Sequence, residues 1–158
     1  SGISSGFKGL DELLGGLQES DLLILAGRPA MGKTALATNI AFNIAHNYMK
    51  ARQSGNVETR PDGSVEVKDG GVVGFFSLEM AAEQLATRML AEQAGVSSSN
   101  IRKGDIHEEE YSRLVSAARD LQDAPLFIDH TGAIAISTLA ARARRLKRQH
   151  GLGLIVVD

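Results

Sequence analysis

At 158 residues the chain has room for one hydrophobic core rather than two, and its 43% hydrophobic and 23% charged residues are those of an ordinary globular domain, which excludes disordered and fibrous classes. A formal net charge of -2 supplies no blanket of positive charge, so any nucleic-acid contact would have to come from local patches. The absence of cysteine excludes a disulfide scaffold, a thiolate zinc site and a cysteine nucleophile together, and no apolar run approaches the ~18 residues that a membrane helix needs.

In chain order, Ser1-Gly2-Ile3-Ser4-Ser5 lacks the charged and apolar regions of a signal peptide, so a protein that is not exported is expected. A short helix is expected around Lys8 to Leu14, stopped by Gly15-Gly16, and Leu22-Leu23-Ile24-Leu25-Ala26 reads as a buried strand. From Lys33 to about His46 the spacing predicts a helix carrying Leu36, Ile40, Phe42 and Ile44 among alanines. Between Asn47 and Gly71, glycines and Pro61 punctuate short polar stretches, and Val57-Glu58-Thr59 and Val65-Glu66-Val67 alternate about Asp62-Gly63, which predicts an exposed insertion with a small hairpin.

Val72 to Leu78 is apolar on both parities, as a strand covered on both faces should be, and Glu79 closes it. A helix burying Leu85, Met89 and Leu90 follows, then an amphipathic helix from Glu108 to Leu121 with Tyr111, Leu114, Val115, Ala118 and Leu121 on its apolar side. Pro125 introduces a strand at Leu126-Phe127-Ile128, and Ser137 is positioned to cap a last helix before Leu154-Ile155-Val156-Val157-Asp158. On that helix Arg144, Arg145 and Arg148 fall opposite Leu139, Ala143 and Leu146, a solvated face rather than a DNA-binding one. Strands separated by helices imply an α/β fold with a mainly parallel sheet and helices on both faces.

Gly27-Arg28-Pro29-Ala30-Met31-Gly32-Lys33-Thr34 matches the pattern G-x-x-x-x-G-K-[ST], and it lies where a P-loop must, between a buried strand and a helix start. Backbone N–H groups of such a loop face phosphate oxygens, and the helix dipole adds to the attraction. Lys33 is suited to the β- and γ-phosphates of ATP, and the Thr34 hydroxyl to a Mg²⁺ ion whose other ligands are mostly water and phosphate oxygen. In a parallel sheet all strands end at one edge, so Glu79 and Asp158 should converge near the P-loop. Asp158, after four apolar residues, has the form of a Walker B aspartate that would hold Mg²⁺ through water, and Glu79 is left to polarise an attacking water. Asp129-His130, at another strand end, is a polar pair that could reach the same edge.

Gly27 to Ala35 together with Phe76-Ser77-Leu78-Glu79-Met80 resemble the DnaB family of bacterial replicative helicases, in its RecA-like motor domain. The likeness runs from Ile3-Ser4-Ser5-Gly6-Phe7-Lys8-Gly9-Leu10-Asp11 through Arg142-Ala143-Arg144-Arg145-Leu146 to Asp158, with the insertion set aside. It implies a RecA-like P-loop fold that is incomplete on its carboxyl-terminal side, residues 1–158 being the amino-terminal portion of the ATPase domain. It further implies a cytoplasmic, nucleoid-associated homo-hexamer that hydrolyses ATP, translocates 5′ to 3′ on single-stranded DNA, and engages a primase and a helicase loader. Glu79 would be the catalytic base, Lys33 and Thr34 phosphate and Mg²⁺ ligands, and Asp158 the second metal residue.

Three departures stand out: the long 47–71 insertion, Ala81 where serine is common, and His130 where a second acid is usual. In RecA-like sheets another strand lies between the P-loop strand and the Walker B strand, so a gap is expected between them here. RadA-type or KaiC-type ATPases, and a nucleotide-binding fragment without turnover, are the alternatives, with Met31 and Met80 favouring the helicase.

Overall fold

The computed structural model of the protein describes residues 22–25, 31–77, 80–130, 136–150 and 153–158. In chain order its elements are β1 (Leu22–Leu25), α1 (Met31–Ser54), β2 (Val57–Thr59), β3 (Val65–Val67), β4 (Val73–Ser77), α2 (Ala82–Ala94), α3 (Ser98–Lys103), α4 (Glu108–Asp123), β5 (Leu126–His130), α5 (Ile136–His150) and β6 (Leu154–Val157). Four of the strands form one parallel sheet in the order β1-β6-β4-β5, and β2 and β3 form a separate antiparallel pair. The helix expected at Lys8 to Leu14 lies outside the described residues.

Every residue of β4 and of β6 is buried, which is why both segments are apolar without alternation. Val73, Phe75, Leu154 and Val156 share one cluster with Ala37, Ala41, Ala45, Leu85 and Met89, so α1 and α2 cover one face of the sheet. On the opposite parity, Phe76 and Phe127 line a cleft with Arg142, Arg145 and Leu146 of α5, which covers the other face. The arrangement of helices on both faces is therefore present.

The expected gap beside the P-loop strand is not. β1 pairs directly with β6, Leu22 opposite Leu154 through to Leu25 opposite Val157. Two parallel edges with unpaired N–H and C=O groups satisfy each other when no strand stands between them.

The helix after the P-loop also differs from its expected form. It starts two residues early, at Met31, and runs on to Ser54, so the segment from Asn47 is helical rather than the beginning of an exposed insertion. Alanines line its buried face: Ala37, Ala41, Ala45 and Ala51 are at most 5% exposed, whereas Leu36 is 62% exposed. Small side chains bring the helix axis close to the sheet, a contact that a search for large apolar residues overlooks. The hairpin then projects from the far end of α1, tied to it by the Asn56 N–H donating to the Ala51 carbonyl and the Gly71 N–H donating to the Ile44 carbonyl.

On α4 the sequence pattern is partly displaced. Tyr111 is 63% exposed and Ala118 is exposed, while Ala117 is buried in a small cluster with Ala94 and Val96, flanked by Leu90, Ile101 and Leu114. Alanine suits either environment, so hydropathy alone did not mark Ala117 as the contact. The short α3 is absent from the sequence reading, although its signals are present: Ser97 Oγ accepts the Asn100 N–H at 3.1 Å, and Gly104 closes the helix at φ +72°. Helix α5 begins at Ile136, which places Ser137 inside the first turn rather than at the cap before it.

Candidate nucleotide-binding site

The carboxyl ends of β1, β4 and β6 lie at one edge of the sheet, because Leu25 is opposite Val157 and Phe76 is also opposite Val157. Asp158 is the next residue along from Val157, and its backbone N–H donates to the Phe76 carbonyl at 2.9 Å, which continues the ladder one step past β6. The aspartate is partly exposed there, at the edge from which the chain leaves β1 for α1.

Helix α1 presents Gly32, Lys33 and Thr34 in its first turn. Gly32 is exposed, and a Cβ built on it meets nothing within 4 Å, so no described protein atom fills the space before the turn. This glycine has no positive φ to accommodate. Thr34 is buried to 6% exposure, and its carbonyl accepts the Thr38 hydroxyl at 2.9 Å. Gly27, Arg28, Pro29, Ala30 and the side chains of Met31 and Lys33 lie outside the described residues, as does Glu79.

Glu79 is nevertheless bracketed by described geometry. Ser77, at the end of β4, is 1% exposed, and its Oγ accepts the Met80 N–H at 3.0 Å. This bond ties the strand end to the residue just past Glu79. Asp129 is held elsewhere: Arg142 Nη1 donates to its Oδ1 at 3.0 Å on the α5 face, and His130 is exposed.

The donors fit a hard divalent cation. A hydroxyl and a carboxylate are oxygen ligands, and among the described residues no group of three or more His, Asp or Glu could hold an ion unaided. Mg²⁺ bound through one or two protein oxygens, with nucleotide oxygens and water completing an octahedron, has that requirement.

A family model described as the DnaB-like helicase C-terminal domain matches residues 2–158. The chain belongs to that family. It is 47% identical over 157 residues to the replicative DNA helicase DnaB of Rickettsia bellii, a match covering 99% of this chain and 29% of the relative. It is 40% identical to the replicative DNA helicase DnaC of Bacillus subtilis, covering 100% of this chain and 30% of that one. The chain thus spans about three tenths of the length of the curated relatives it matches. Among solved structures it resembles a DnaB-like replicative helicase studied with primase, and also a separately solved ATPase domain, each at TM-score 0.63 and 23% identity. All of this chain is covered in both, against 33% and 49% of those chains. At that identity the structures establish the fold, a DnaB-like ATPase architecture of RecA-like α/β type. Membership of this family sets aside the RadA-type and KaiC-type alternatives.

Proposed function

We propose that this chain is the amino-terminal portion of the RecA-like ATPase domain of a replicative DNA helicase, with residues 55–71 as an addition to it, and that it contributes to the binding and hydrolysis of ATP with Mg²⁺ by the protein at its natural length. The observation that supports the reading is the pairing of Leu25 with Val157, since the Gly27–Thr34 motif follows the one in sequence and Asp158 the other. Gly27, Arg28, Pro29, Ala30, Met31 and Gly32 form the phosphate-binding loop, and Lys33 places a point charge against the β- and γ-phosphates. Thr34 and Asp158 would hold Mg²⁺, which would supply positive charge to neutralise the phosphates. Glu79, one residue before the Met80 N–H that Ser77 fixes, orients and polarises the attacking water.

In this reading the protein works as a bacterial cytoplasmic, nucleoid-associated homo-hexamer moving 5′ to 3′ on single-stranded DNA and engaging a primase and a loader. Its support is family membership and identity to named replicative helicases; no helix of the described residues is long and apolar enough to cross a membrane. The decisive experiment uses the protein at its natural length. Lys33→Ala abolishes nucleotide binding, and Glu79→Gln retains ATP binding but loses DNA-stimulated hydrolysis. Wild-type affinity in the first variant would remove the phosphate role, and full turnover in the second would remove Glu79 from the chemistry.

A further inference from the structure

The first turns of α1 are held from the side by a polar contact that no motif predicts. Thr38 is 0% exposed and lies one turn beyond Thr34. Its hydroxyl oxygen is 2.9 Å from the Thr34 carbonyl and 3.0 Å from that of Ala35. It is also 3.4 and 3.3 Å from the two carboxylate oxygens of Glu92 on α2. A hydroxyl has a single hydrogen, and the Thr34 carbonyl is its nearest acceptor. Glu92, whose carboxylate is a further acceptor within reach of that hydrogen, lines a groove of about 900 Å³ between α1, α2 and α3.

We propose that Thr38 and Glu92 form a positioning clasp that fixes the first turn of α1 against α2, and so sets the place of the Thr34 hydroxyl relative to Asp158. In the clasp the Thr38 hydroxyl reaches the Thr34 carbonyl at 2.9 Å and the two Glu92 carboxylate oxygens at 3.4 and 3.3 Å, its single hydrogen shared among these acceptors. A glutamine amide would serve in the same way; an alanine would not. Burial pushes the Glu92 carboxyl above its usual range, against the opposing pulls of the Thr38 hydroxyl and of Arg88. The charged groups lining the groove beside it are Glu83 and Arg88 on α2 and Arg102 on α3. Residues that orient a metal ligand without touching the metal commonly change its affinity by ~10-fold when removed.

The inference rests on the assignment of Thr34 to Mg²⁺, so the experiment separates the two. Binding of a fluorescent ATP analogue is titrated with Mg²⁺ at fixed nucleotide, and repeated in EDTA, on the protein at its natural length. Thr38→Val and Glu92→Ala should each raise the Mg²⁺ concentration for half-maximal binding by about tenfold while leaving the affinity in EDTA unchanged. Thr38→Ser and Glu92→Gln should restore the wild-type requirement. If Thr38→Val does not fold, Glu92→Ala against Glu92→Gln carries the comparison. A wild-type Mg²⁺ requirement in Glu92→Ala overturns the clasp, as does an equal loss in Glu92→Ala and Glu92→Gln. When Lys33→Ala abolishes binding in the same assay, such a result removes the clasp alone. Undiminished binding in Lys33→Ala removes the site assignment, and the clasp with it.

Discussion

The backbone N–H of Asp158 is fixed by the Phe76 carbonyl, and its carboxylate, at the strand end, is the proposed Mg²⁺ residue. Asp158→Asn should therefore leave the melting temperature near wild type while weakening Mg²⁺-dependent nucleotide binding by ~10-fold or more, measured by titration. Ala81 illustrates a departure whose consequence is visible. Gln84 Oε1 accepts the Ala81 N–H at 3.1 Å, which is half of a capping box, and alanine has no oxygen to complete the other half. Ala81→Ser should stabilise the fold by about 1 kcal/mol in denaturant unfolding. Glu92 makes a pH-dependent contribution of known sign. Its carboxyl is raised above the ordinary 4.5, so the folded state holds the proton more tightly than the unfolded chain does. The associated stability is fully present below that ordinary value and is lost as pH rises through the folded one. Glu92→Gln, which never ionises, should gain in melting temperature relative to wild type as pH rises above 4.5.

Among the elements, the hairpin and α1 depend on each other through backbone contact. Gly70 adopts φ +64°, and a Cβ there would run into the Ile44 carbonyl oxygen and the Tyr48 backbone nitrogen of α1. Gly70→Ala should cost about 3 kcal/mol or more by chemical denaturation, since both the backbone angle and the space reject it. On its charged side the hairpin neutralises itself: Lys68 Nζ meets Glu58 Oε2 at 2.7 Å, and Arg60 meets Glu66 at 3.5 Å. These are exposed pairs of small energetic weight, and their substitution should change stability little. The alternating valines made this hairpin legible in the sequence, because a period of two around Asp62-Gly63 has few other solutions. The end of α1 was not legible. Residues 47–54 include Asn47, Tyr48 and Gln53, which are tolerable in a helix without announcing one, and the helix persists there because Ala51 is buried at 5% exposure.

Across the whole molecule, the carboxyl ends of β1, β4 and β6 share one edge of the sheet. Phe75 is fully buried at the centre of the face that carries α1 and α2, so Phe75→Ala should cost ~3–5 kcal/mol and lower nucleotide affinity only through unfolding. A polypeptide of these 158 residues alone should neither unwind DNA nor hydrolyse ATP appreciably, because the related helicases are more than three times as long. A helicase assay on that polypeptide measures this directly. The residue order by itself determined the strand–helix alternation and the parallel sheet, since apolar runs and helical periodicities are local in the chain. Only the tertiary structure decided which strands are neighbours, that β1 meets β6 without a gap, and that alanines and Phe42 rather than Leu36 form the buried face of α1. It alone joined Thr38 to Glu92, 54 residues apart. Pairing and packing are settled by which surfaces and unpaired backbone groups meet in space, and sequence separation carries no record of that.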